Sequence, residues 1–289
     1  MNILKSYKQG IQEATSRPNM VFLLWLANLF FASVAYFLFS AQFGAAVATS
    51  RLATELLRQL DMNVLVEFLT GSSTSFGVLI TAVIVIVVLY FMASIFLQGG
   101  ILYTLIHRRD DETFTQVFFA GAGKYFGRFF RLTIYSLILW IPAIILFMIL
   151  SGLLKLLTKN PVYEQRAFIL TLVRVALALV LVFLIKMIMD YARIKIVTQD
   201  ARTVFFSLLA AAGFVFRRLR KSLGLYYLLG LTGVAVFLVF WGIRSAFTAA
   251  SPGAIWLGFF LAQMCIAGRG WLHIAYQAGQ TKLFTLEYF

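Results

Sequence analysis

Six stretches of this chain are predominantly apolar and show no two-residue alternation: Met20–Ser40, Phe76–Leu97, Leu132–Leu153, Phe168–Met189, Leu223–Phe247 and Ala254–Tyr276. A hydrocarbon core about 30 Å thick is crossed by about 20 helical residues, because a helix bonds every backbone N–H and C=O within itself. Barrel strands would alternate apolar and polar positions instead. The pattern therefore predicts an all-α integral membrane protein with six transmembrane helices. Composition agrees: 62% of the residues are hydrophobic and 12% charged, against about 25% charged in soluble domains. Thirty Phe are spread along the whole length, so residues 1–289 read as one polytopic membrane domain.

The first span follows Lys5, Lys8 and Arg17, as a signal peptide would, with Ala46-Val47-Ala48 as a small-residue site beyond it. Its apolar run is about twice the length of a signal h-region, which makes it a signal anchor. Orientation follows from the basic residues of the connections. The amino terminus and the second and fourth connections, the last taken from Lys186 to Lys221, carry three, five and eight Lys and Arg. The intervening connections carry two, four and one when Arg174 and Arg244 are included. Both termini are thus expected in the cytoplasm. A formal charge of +14 points here to anionic phospholipid headgroups and not to nucleic acid, since the bases flank spans.

Polar segments between spans repeat. "DETFTQVFFAGAGKYFGRFFRL" superimposes on "DARTVFFSLLAAAGFVFRRLRK" with Asp111 on Asp200, Tyr125 on Phe214, Arg128 on Arg217 and Arg131 on Arg220. Residues 114, 117, 118, 121, 122, 125, 126, 129 and 130 are apolar or small at helical spacing, which predicts an amphipathic helix lying in the interface. Asp111 and Asp200 are expected as its N-caps. The chain's opening, "MNILKSYKQGIQEATSRPN", supplies a third copy in which Gly10 and Arg17 match Gly121 and Arg128. The expected unit is an interfacial helix followed by a transmembrane hairpin, three times over, at about 1–110, 111–199 and 200–289. Between the first two spans an insertion, residues 50–69, places Leu52, Leu56, Leu60 and Val64 on one stripe and is expected to form an outer amphipathic helix.

The segments "GGILYTL" at 99–105, "FFAGAGKYFGRFFRL" at 118–132 and "DYARIKIVTQDARTVFFSLLAAAGFVFRRL" at 190–219 resemble those of bacterial six-span membrane proteins. They are also distantly similar to the membrane domain fused to some glycerophosphodiester phosphodiesterases. The resemblance implies a helical bundle in a bacterial cytoplasmic membrane. It brings no catalytic residues, and the soluble phosphodiesterase domain has no counterpart in the chain.

Charge inside a span marks a functional candidate, because it is costly in hydrocarbon. Along "LIKMIMDYARIKIV", Asp190 lies about 33 Å from Phe168 at 1.5 Å per residue, at the cytoplasmic boundary. Lys186 can snorkel outward or pair with Asp190. Arg269 lies about 20 Å from Trp256, flanked by Gly268 and Gly270, with His273 one turn on. A buried Arg needs an acceptor, so Gln98, Asp190, Arg269 and His273 are expected to form one polar intramembrane cluster, either a register-fixing ion pair or a binding site. Lys124, Arg128, Arg131, Arg217, Arg218, Arg220 and Lys221 are the candidates for headgroup contact.

Catalytic signals are few. The chain has two His and one Cys, Cys265, so no metal, no cofactor and no His or Cys nucleophile system is expected. "GKYFG" lacks the Lys-Ser or Lys-Thr of a phosphate loop, and "DYAR" resembles part of a lipid phosphotransferase signature without its further aspartates. The expected function is a non-catalytic scaffold or accessory subunit that binds lipid or another membrane protein. The alternative is a transporter or lipid-handling permease built on the polar cluster, with Pro142 as a midspan break of the kind such folds carry.

Overall fold

The computed structural model describes residues 3–47, 73–107, 113–157, 164–245 and 252–288. Eight helices account for the regular structure there: α1 (Ile3–Ser16), α2 (Pro18–Val47), α3 (Ser73–His107), α4 (Phe114–Leu157), α5 (Glu164–Thr198), α6 (Val204–Arg217), α7 (Leu219–Ser245) and α8 (Pro252–Tyr288). All but α1 and α6 are long and apolar enough to cross a membrane. Their most apolar windows are only 0–11% buried within the protein, so the greasy surface faces outward. Leu137, Met148, Phe168 and Ile255 are among the exposed side chains. This is the build of a multi-pass membrane protein, whose solvent for those faces is lipid. The insertion at residues 50–69 and the cap expected at Asp111 lie outside the described residues.

The described chain forms two compact units, Phe22–Leu97 and Met1–Val21 with Gln98–Phe289. In the smaller unit, α2 and α3 share a polar fastening within apolar surroundings. Asn28 Nδ2 donates to Leu24 O at 2.8 Å, and its Oδ1 accepts from the Tyr90 hydroxyl at 3.0 Å. The Tyr90 ring meets Phe31 edge-on at 5.4 Å.

In the larger unit each short polar segment packs on the end of a long helix. α1 buries Ser6, Gly10 and Ala14, a stripe at four-residue spacing, against α8. A Cβ on Gly10 would come within 2.8 Å of Ala275 O and of Gly279 N, so only glycine permits this crossing. α1 also touches α7, where Tyr7 and Thr232 hydroxyls lie 2.8 Å apart. The first turns of α4 bury Val117, Phe118, Ala122, Tyr125, Phe129 and Leu132, most of the stripe read from the sequence. Gly121 lets α4 close on Tyr103 of α3, and Gly100 of α3 lies under the Phe118 ring. α6 packs on α5, with Phe214 against Tyr191 at 5.1 Å and against Phe284 of α8 at the same distance.

Two sequence expectations change here. The segment from Phe114 does not end before its span but continues into it as one 44-residue helix, and that helix runs through Pro142. At about 66 Å it is longer than a hydrocarbon core is thick. Pro142 lies on an exposed face, where the chain continues helical on both sides of it. Asp200, in turn, is not a cap: the N-cap of α6 is Thr203, without a side-chain hydrogen bond. Asp200 instead occupies the left-handed region at φ 47°, which Asp enters more readily than most residues.

That placement turns its carboxylate toward α4. Arg128 donates to it at 2.6 Å and Tyr125 at 2.9 Å, with Lys124 Nζ at 3.1 Å. Two other carboxylates are held similarly. Glu13 meets Arg17 at 3.1 Å and Lys282 at 3.5 Å. Glu287 meets Lys221 at 2.6 Å and Arg218 in close contact. Arg17 also donates to Thr104 O of α3 at 2.7 Å.

Two tests follow from these contacts. Gly10→Ala is expected to cost about 1–3 kcal/mol through overpacking against backbone. Gly213→Ala, with nothing within 4 Å of the added carbon, is expected to gain about 0.5–1 kcal/mol; thermal unfolding in detergent compares them. Hydrogen bonding from Arg128, foremost, lowers the Asp200 pKa to about 2. A depressed carboxylate stabilises the fold above its unfolded pKa of about 3.9 and loses that contribution as pH falls toward the folded value. The wild-type unfolding temperature should therefore fall between about pH 4 and pH 2, and Asp200→Asn should flatten that part of the profile. The effect is modest because the side chain is 54% exposed and screened by solvent.

Candidate functional site

Two polar stripes meet where α5 and α8 pack. On α5, Lys186, Asp190 and Arg193 recur at steps of four and three residues and so share a face. On α8, Arg269, His273, Gln277 and Gln280 do the same over three turns. Both helices remain regular here, so the stripes are set by residue spacing alone.

Asp190 pairs with Arg193 of its own helix, Oδ1 to the Nη1 donor at 3.2 Å. The two side chains are 13% and 16% exposed. Lys186 lies within electrostatic reach of Asp190, as do the phenols of Tyr226 and Tyr276. The Gln280 amide faces the carboxylate, and its Oε1 is buried. His273 stands among three cations, Lys186, Arg193 and Arg269. Its Nε2 is 3.1 Å from Gln277 Nε2. The Oε1 of Gln277 and the Nε of Arg193 are buried without a partner.

The sequence-derived cluster is thus rearranged. Asp190 takes Arg193 as its ion-pair partner in place of Arg269, since a residue three positions along the same helix is reached without any helix rotation. Arg269 is exposed and enters the cluster through His273. Gln98 sits near the end of α3 with its Oε1 buried and unpartnered; no described contact joins it to Asp190. Arg193, Gln277 and Gln280 were missed as site members, because the spans were ended at Met189 and Tyr276, before them. The spacing of "RGWLHIAYQAGQ" carried the signal.

The headgroup candidates divide as well. Lys124 and Arg128 are engaged by Asp200, and Arg218 and Lys221 by Glu287. Arg131, Arg217 and Arg220 remain exposed. Arg218 additionally lies over the Phe214 ring at 5.4 Å.

Chemically the cluster offers three cations, one carboxylate, two buried amides and a histidine. The arrangement is suited to holding a polar group; its only carboxylate is already paired. Searches of family models, of characterised proteins and of solved structures find no match to this chain. The likeness noted above rests on the quoted segments alone.

Removing one member of the pair distinguishes it from an ordinary surface contact. Arg193→Leu leaves Asp190 enclosed and unpaired and should cost about 3 kcal/mol or more. The double change Asp190→Leu with Arg193→Leu should recover most of that loss, read as the unfolding temperature of the purified protein.

Proposed function

We propose that this chain is a non-catalytic multi-pass carrier of the bacterial inner membrane, a transporter or lipid-handling permease that holds a polar or amphiphilic ligand between α5 and α8. One observation carries the reading. The Asp190–Arg193 pair joins two residues of a single helix, so it contributes nothing to the register between helices. Meanwhile the amides of Gln277 and Gln280, 4% and 2% exposed, hold two buried oxygens without a partner among the described residues. Each such atom costs about 1–3 kcal/mol when left unsatisfied. A polar ligand between the two helices would satisfy them.

Both termini lie in the cytoplasm on this reading, and the chain is a triplicated unit. The support is a pattern of contacts. α4 packs on α3, α6 on α5, and α1 on α8, so each amino-terminal segment seats on the returning helix of the preceding unit, and the first seats on the last. Its basic end then reaches the end of a returning helix or the turn just after it: Arg17 to Thr104 of α3, Arg128 to Asp200 two residues past α5, Arg218 to Glu287 of α8. Gln98, Asp190 and Gln277 occupy the matching position two residues before Gly100, Ala192 and Gly279.

A scaffold reading is favoured by a different observation. α6 exposes Phe205, Phe206 and Phe216 on the face turned away from its packing partner, a surface that lipid or another membrane protein would cover.

The test is native mass spectrometry of the protein extracted with its own lipids. A small molecule or lipid retained by the wild type and lost in Gln280→Leu supports the carrier. A stoichiometric protein partner with no Gln280-dependent ligand would replace it with the scaffold.

A further inference from the structure

Cations outnumber carboxylates at this site. Lys186, Arg193 and Arg269 lie within electrostatic reach of His273, while Asp190 is the sole carboxylate of the cluster. The carboxylates of Glu13, Asp200 and Glu287 are each held by two cations elsewhere. With His273 neutral the cluster carries an excess of two positive charges by residue type. Uncompensated charge at the edge of hydrocarbon is costly, so a counter-anion from outside the chain lowers the free energy. Arg193 is already oriented for one. Asp190 holds its Nη1, and the Nε on the guanidinium's other edge is buried and unpaired. A guanidinium edge matches two oxygens of a tetrahedral oxyanion, and phosphate supplies them together with negative charge. Asp190 and Arg193 lie about 33 and 38 Å along the helix from Phe168, the level at which phospholipid phosphates are found.

We infer that the α5–α8 cluster is a receptor for a phosphate group, seated on the Nε edge of Arg193. Lys186 and Arg269 supply countercharge, and Gln277 and Gln280 supply amide donors. Asp190 is a positioning residue that fixes the guanidinium. The inference rests on the carrier reading and specifies its ligand class. The phosphate belongs either to an anionic lipid headgroup or to a free phosphate in the cytoplasm.

The test uses the full chain in detergent, titrated with phosphatidylglycerol, with phosphatidylcholine and separately with inorganic phosphate, binding read by native mass spectrometry. Phosphatidylglycerol should be retained over phosphatidylcholine, and Lys186→Gln and Arg269→Gln should each weaken that retention about tenfold. Both residues are exposed, so these variants keep the fold, as thermal unfolding would verify; Arg217→Gln serves as the surface control. Arg193→Lys should retain more than Arg193→Gln. Binding of inorganic phosphate that displaces the lipid assigns the site to the free anion, and lipid retention indifferent to it assigns the site to the headgroup. Equal retention of both lipids by wild type and variants, with no phosphate binding, overturns the proposal. A neutral or cationic ligand lost in Gln280→Leu would overturn the phosphate class and leave the carrier reading standing.

Discussion

Scarcity of carboxylates governs the charged end of this protein. The chain has 25 basic and 11 acidic residues, and each of Glu13, Asp200 and Glu287 serves two cations at once. In every case the acid ties together segments that the apolar packing alone would leave free to slide. Lipid-facing surface is indifferent to small rotations of a helix, because Leu against a lipid tail is worth much the same as Leu against Leu. Directional contacts therefore set the arrangement: an ion pair at a helix end, a hydroxyl in a greasy hairpin, a glycine where backbones meet.

The glycines act by subtraction. Gly10, Gly100 and Gly121 each mark a place where a side chain would collide with a neighbouring helix, whereas Gly123, Gly127 and Gly213 have open space around them. The same residue type is thus essential in one place and dispensable in another. Around the close approaches sits an aromatic core, with Tyr191, Phe214 and Phe284 joining α5, α6 and α8.

Much of this was readable in the residues. The long apolar runs gave six helices because spanning length and backbone satisfaction leave few alternatives. The stripe at 117, 118, 122, 125 and 129 foretold which face of α4 is buried. Two things were beyond reach. Periodicity does not record where an interfacial turn stops and a span starts, so the continuity of α4 was missed. Nor does it fix helix rotation, so the sequence points Asp190 to Arg269 although Arg193, three residues away, is its partner. Gln277 and Gln280 were passed over because a span boundary drawn at about 20 residues ends before them; α8 in fact continues to Tyr288.

The seat of α1 has a further implication for biogenesis. Trp271 donates its indole hydrogen bond to Thr15 across 256 positions of sequence, and the Gly10 crossing lies against Ala275 and Gly279. The surface that receives the first helix therefore does not exist until the last span has left the ribosome.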